Sequence, residues 1–199
     1  GGTKSSTSRA DLLILKANLN GKIQSVLTAL NGLMRDEAKR YIEKYYPGKT
    51  FGLLYNSWIY STRYNGKQYN KKLILDWEGK KQNNETWETD SSLKYLDYTN
   101  YYVFIEQQFL NLTKEWNIDN KKLDRIKENI NYLKDKIRNL SSHQYVDDFT
   151  QEDLITTLTY VSEIIKVLEK NPAEQKKLVG SVIDAQTDAL AYYKTLKNK

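Results

Sequence analysis

The chain has 199 residues, 39% of them hydrophobic and 28% charged, with a formal net charge of +6. That composition marks a folded globular protein rather than a disordered one, and the length suits one domain burying roughly 70% of its extended-chain surface. The sequence holds no cysteine, which excludes disulfides, thiolate metal sites and cysteine nucleophiles, and no apolar run approaches the roughly 18 residues that cross a bilayer.

The opening GGTKSSTSR is small and polar, with no apolar residue before Ala10. It lacks the apolar h-region of a signal peptide and reads as a flexible tether over residues 1–9, ahead of a single helical domain over 10–199. From residue 10 to 46, Leu12, Leu15, Leu19, Ile23, Val26, Leu30 and Leu33 recur at steps of three and four, which predicts one apolar helix face. Gly21 and Gly32 each cost about 1 kcal/mol against alanine, so a kink or break is expected there. The segment RDEAKRYIEKYY continues the helix as far as Pro47-Gly48. Proline pushes its preceding residue out of the α region and ends it.

Residues 51–78 fit a helix less well. Asn65-Gly66 is a hairpin signal, because both turn positions need positive φ. Pairing across it sets Trp58 opposite Leu73 and Thr62 opposite Tyr69, with Leu73, Leu75 and Trp77 sharing one face at period two. The alternative is an aromatic-rich loop with a short helix at GLLYNSWIY. An isolated hairpin is marginal in water, so either form must lean on the helices, and Trp58 and Trp77 are assigned to packing.

The segment SSLKYLDYTNYYVFIEQQFLNLTKEW predicts one helix, with Leu96, Val103, Ile105, Phe109, Leu112 and Trp116 along a broad apolar face. Asp119 caps the next, where Leu123, Ile126, Ile130, Leu133, Ile137 and Leu140 alternate steps of three and four. Thr150 opens a helix through Leu154, Leu158, Val161, Ile165 and Leu168. Asn171-Pro172-Ala173-Glu174 then joins a capping asparagine, a first-turn proline and a glutamate at the third position. Val179, Val182, Gln186, Ala189 and Tyr193 continue that last helix. The expected fold class is mainly all-α, an antiparallel bundle of four to five helices with an irregular or hairpin-like excursion near residues 51–78. The apolar stripes on Leu123–Leu140 and Val179–Tyr193 add the expectation of a homodimer through the C-terminal helix.

Charge is unevenly spread: residues 1–81 carry +9 and residues 82–199 carry −3. Arg35, Lys39, Arg40, Lys44, Lys49, Arg63, Lys67, Lys71 and Lys72 supply the positive part. Such a field attracts anionic partners, whether protein, glycosaminoglycan or nucleic acid, although lysines that only solvate a helix face give the same count. Cations and aromatics coincide over residues 35–72, which predicts a partner-binding face made of Arg40, Lys44, Tyr46, Tyr60, Arg63, Tyr64 and Lys71. The run WIYSTRYNGKQYNKK also has the interleaving of a single-strand stacking platform, so an intracellular nucleic-acid-binding helical protein is the alternative.

Catalytic chemistry has little support. His143 is the one histidine, and Asp147 and Asp148 lie near it, but no nucleophile motif accompanies them and SSHQYVDDFT reads as an interhelical loop. No glycine-rich phosphate loop or EF-hand pattern is present. The expectation is a non-enzyme without catalytic residues, metal or cofactor.

The segments DEAKRYIEKYY, FGLLYNSW and VDDFTQEDLITTLTYVSEIIKVLEK, within the order tether, long first helix, aromatic excursion and Lys/Asn-rich helices, carry a resemblance. Over about residues 10–197 the chain resembles the outer-surface lipoproteins of Lyme-disease spirochaetes (Borrelia), and within them the CspA family of complement-regulator-acquiring surface proteins. The resemblance implies a virulence-associated surface protein held at the outer membrane by a lipidated cysteine ahead of residue 1. It also implies immune evasion by binding a host complement or other serum protein, and a homodimer.

Overall fold

Ser8 opens the first helix: its Oγ accepts the Asp11 N–H at 3.1 Å and its carbonyl accepts that of Leu12. The helix that follows, α1 (Arg9–Tyr45), runs 37 residues through both Gly21 and Gly32. The expected break does not occur, because Leu19, Ile23, Leu30 and Met34 are buried on either side of the two glycines. The structure, a computed structural model, describes residues 7–61, 63–64, 67–68, 71–143, 146 and 149–198. At 61, 63, 64, 67, 68, 134, 135 and 137–143 it describes the backbone alone. Most of the expected tether therefore lies outside the described residues.

After α1 come α2 (Phe51–Ser61), β1 (Arg63–Tyr64), β2 (Lys67–Gln68), α3 (Lys71–Asn83), α4 (Tyr98–Gln107), α5 (Phe109–Glu115), α6 (Asn120–His143), α7 (Gln151–Leu168) and α8 (Pro172–Lys197). The protein is all-α, with eight helices among the described residues rather than four to five. The expected domain over residues 10–199 resolves into two compact units, Gly1–Leu30 with Tyr132–Lys199 and, separately, Asn31–Asn131.

In the first unit α7 and α8 lie antiparallel. Gln175 Nε2 donates to the carbonyls of Lys166 and Glu169, and Gln186 Nε2 donates to Ile155 O and Thr159 Oγ1. Both helices start as their caps predict. Thr150 Oγ1 accepts from Asp153 N at 3.1 Å, and Asn171 Oδ1 accepts from Ala173 N and Glu174 N. Leu154, Leu158, Val161 and Ile165 bury one stripe of α7, and Val182, Ala185, Ala189 and Tyr192 bury one stripe of α8. Lys22 of α1 reaches both Asp184 at 2.8 Å and Asp188 at 2.7 Å. The apolar face of α1 departs from expectation at Leu15, which is exposed, as are its neighbours Leu13 and Ile14. The backbone of α6 continues helical to His143, so the expected loop SSHQYVDDFT begins later than read. Ile137 and Leu140, like Asp147 and Asp148, lie outside the described side chains.

The second unit has an aromatic core. Of the two forms expected for residues 51–78, the short helix at GLLYNSWIY is present as α2, and α3 stands where most of the second strand of a hairpin would lie. Phe51, Tyr55 and Ile59 sit four apart and are buried, and so are Leu73 and Trp77. The period-two reading fails at Leu75, which is 61% exposed between Leu73 at 7% and Trp77 at 0%. Among the described residues a ladder survives at Arg63↔Gln68 and Tyr64↔Lys67, in the expected register. Trp58 and Leu73 are helical, and the pair Thr62–Tyr69 lies outside the described residues. The rings interlock: Tyr55 meets Trp77 edge-on at 4.7 Å, Trp58 stacks on Phe104 at 6.2 Å, and Trp77 Nε1 donates to Asn56 Oδ1 at 3.0 Å. Gly52 is required where α2 passes the Trp87 carbonyl, since a Cβ there would stand 2.2 Å from that oxygen.

The single helix expected from residue 91 to 116 is also divided. Asp97 is the true cap, accepting from Thr99 N while Asn100 Oδ1 accepts from Asp97 N. This reciprocal pair fixes the start of α4. Leu93, before it, holds a left-handed backbone with φ 56° and a 2% exposed side chain. At the far end Asn117 is left-handed with φ 51°, Asn117 N donates to Lys114 O and Ile118 N to Thr113 O. That Schellman closure stops α5, and Asp119 starts α6 by accepting from Lys122 N at 2.7 Å.

Candidate functional site

The last turns of α1 present cations on more than one side, because steps of four share a helix face while a step of one does not. Arg40 and Lys44 face α5. Arg40 Nη1 lies 2.9 Å from Glu115 Oε2, and Lys44 Nζ lies 2.6 Å from Glu115 Oε1. Tyr45 donates its hydroxyl to the same carboxylate, and Arg40 also holds Glu37, which accepts from Trp116 Nε1 at 2.8 Å. Glu115 is 9% exposed, and hydrogen bonds from Lys44, Tyr45 and Arg40 hold its pKa down to about 2 against the burial that would raise it. Beside this cluster, the Tyr41 and Tyr46 hydroxyls both donate to the amide oxygen Gln108 Oε1, at 2.8 and 3.1 Å. Burial pushes the Tyr41 hydroxyl up to about 12.

Of the residues predicted to bind a partner, Arg40, Lys44 and Tyr46 are thus engaged by groups of the same unit. Tyr60 is 42% exposed, with its ring 5.0 Å below Lys81 Nζ and its hydroxyl accepting from that ammonium at 3.3 Å. Lys71 is exposed at the start of α3. Arg63 and Tyr64 form β1, and their side chains lie outside the described atoms. Of the four cations in that set, Arg40 and Lys44 are ion-paired to Glu115, Lys71 is exposed, and the Arg63 side chain lies outside the described atoms. Tyr55 and Trp77 are buried in the core, and Trp58 is half-buried against Phe104.

Sequence reasoning counted Lys39 and Lys49 in the positive field and chose neither for the site. Both border a surface depression of about 70 Å³, together with Glu43, Thr50 and Ser91, over a floor of Ile42, Phe51 and Leu93. The turn Tyr46-Pro47-Gly48-Lys49 brings Lys49 there. Gly48 has φ 80° and Lys49 N donates to Tyr46 O at 3.0 Å, a type II turn with proline and glycine where that turn needs them. Lys39 and Glu43 stand one helical turn apart on α1, on a face apart from Glu115. Among the described residues the side chains of Lys39, Glu43 and Lys49 have no hydrogen-bonding or ion-pair partner. The Pro-Gly pair was the legible signal for this corner. Leu93, whose left-handed backbone closes the floor, had none.

A second cation cluster lies on α3. Lys81 Nζ sits over the rings of Tyr60, Trp87 and Trp77 and donates to Asn56 Oδ1 at 3.1 Å. Lys80 Nζ meets Asp76 at 2.9 Å, Asp97 at 3.0 Å and Asn100 Oδ1 at 2.7 Å. Both ammoniums join α3 to its neighbours. No family model, curated protein or solved structure matches the chain.

Proposed function

We propose that this chain is a non-enzymatic, surface-exposed host-interaction protein that binds a host complement or other serum protein in the service of immune evasion. The observation that carries the reading is the depression on the second unit, where two lysines with no side-chain partner among the described residues stand over an apolar floor. An apolar floor with a charged rim is the anatomy of a protein-binding pocket, and the positive field of residues 1–81 favours encounter with an acidic partner. The all-α fold is of the kind the family resemblance implies, and from that resemblance comes the proposal of lipid anchoring at the outer membrane. Binding of single-stranded nucleic acid is less supported, because in that run Trp58 lies half-buried against Phe104 and the Tyr60 ring already carries the Lys81 ammonium.

The test is capture from serum by the immobilised chain at physiological salt, with an unrelated helical protein of equal charge as control. Specific retention of a serum protein supports the reading, and retention no greater than the control ends it. Tight binding of single-stranded DNA with a steep salt dependence would put the nucleic-acid reading in its place.

A further inference from the structure

We propose that the depression between α1 and the start of α2 receives one branched aliphatic side chain from an acidic segment of a partner protein. This rests on the protein-binding reading above and names the chemistry of the partner.

Volume chooses the anchor. A dry, enclosed cavity of roughly 150 Å³ takes a benzene ring. The depression offers about 70 Å³, about half of that, which suits a branched side chain such as valine or leucine better than an aromatic ring. Its floor is apolar and firmly held: Phe51 is 1% exposed, Leu93 2% and Ile42 6%. Phe51 is fixed by a stack on Tyr55 at 5.8 Å and by contact with Phe104 at 5.8 Å. The floor is therefore formed before any partner arrives, and little ordering entropy is lost on binding.

Charge chooses the flanks. Lys39 and Lys49 rise from different elements, the α1 helix and the type II turn, so carboxylates on both sides of the anchor can each find an ammonium. Thr50 contributes less to recognition. Its hydroxyl donates to Glu88 O at 2.6 Å and accepts from Leu53 N at 3.3 Å as the α2 cap. Glu43 is the one acid on the rim, and it sets the direction of the segment by repelling a carboxylate from its own side. Strain at the site points the same way. Leu93 pays for a left-handed backbone that leucine rarely adopts, and its side chain completes the floor.

The experiment uses the whole 199-residue chain and three synthetic nonapeptides, each with four Asp/Glu on either side of a central Leu, Ser or Trp. Affinities are measured by calorimetry at low salt, for the wild type and for Lys39→Glu/Lys49→Glu, Lys39→Gln/Lys49→Gln and Glu43→Gln. The Leu peptide should bind about tenfold tighter than the Ser or Trp peptide, from the apolar area it buries. Charge reversal at the two lysines should weaken it at least about tenfold, neutralisation less, and Glu43→Gln should tighten it. Both lysines are exposed, so the variants should melt with the wild type. Equal binding of the Leu and Ser peptides, preference for Trp, or indifference to both lysine variants overturns the proposal. Serum capture separates it from the broader reading. A serum protein held equally by wild type and Lys39→Glu/Lys49→Glu overturns the pocket and leaves host binding standing. Selective binding of the Leu peptide with no serum protein retained upholds the pocket and ends the host-protein reading.

Discussion

Arg40 of α1 and Glu115 of α5 form an ion pair of 2.9 Å in which the acid is 9% exposed. Lys44 and Tyr45 close on the same carboxylate, so one glutamate gathers three donors from the last turns of α1. A surface pair of this kind contributes little, whereas a shielded and fully hydrogen-bonded carboxylate contributes more.

The cluster should make the fold acid-labile in a defined window. The Glu115 pKa falls from an ordinary 4.5 to about 2 on folding, so the unfolded state binds its proton first as the medium is acidified. The stabilisation is present in full above about pH 5 and is lost as pH falls towards 2. Urea unfolding of wild type and Glu115→Gln should differ by about 1–3 kcal/mol at pH 7 and converge near pH 2. A difference that stays constant with pH would show that the carboxylate charge is not the source.

Gly52 and Gly79 should respond oppositely to alanine. A Cβ on Gly52 meets the Trp87 carbonyl at 2.2 Å and the Tyr95 hydroxyl at 2.8 Å, so α2 or the turn at 84–89 must move. A Cβ on Gly79, inside α3, meets nothing within 4 Å. Gly52→Ala should cost about 2–4 kcal/mol and Gly79→Ala should stabilise by up to about 1 kcal/mol. Thermal melts of the two variants check the sign directly; a neutral Gly52→Ala would refute the close approach.

Lys81 should stabilise through its charge and not only its stem. Its ammonium lies 5.0, 5.3 and 5.9 Å from the centroids of Tyr60, Trp87 and Trp77. Lys81→Met keeps apolar volume but removes the cation–π attraction and the bond to Asn56, for an expected loss of about 1–2 kcal/mol. Chemical denaturation measures the loss, and tryptophan emission should change at the same time. Stability equal to wild type would leave the three rings as packing alone.

Tyr193 should matter out of proportion to its one oxygen. Its hydroxyl reaches both the Val146 and Phe149 carbonyls, at 3.0 and 2.8 Å, and the residue is 9% exposed. Tyr193→Phe keeps the ring and leaves those carbonyls without that donor, which should cost about 1–2 kcal/mol. Hydrogen exchange at the N-terminal turn of α7 should quicken in the variant; unchanged exchange and stability would argue that other donors replace the hydroxyl.

What the sequence determined by itself was local. Asp119, Thr150 and Asn171 each cap a helix with a side chain acting on backbone two or three residues away, so the signal and its effect lie in the same few positions. The 3–4 spacing of Leu154 to Ile165 likewise named a buried face without reference to any other element. Pro47-Gly48 fixed the end of α1 because backbone geometry there depends on those two residues alone. Tertiary structure decided the rest. Phe51, Tyr55, Ile59, Leu73 and Trp77 admit helix or strand on propensity, and packing among their rings selected helix. Arg40 and Lys44 looked like free cations until α5 brought Glu115 beside them from a distant part of the chain. Lys39, one residue from Arg40, has no ion-pair partner among the described residues, because that single step turns it about 100° around the helix, away from Glu115 and towards the Phe51 and Leu93 floor.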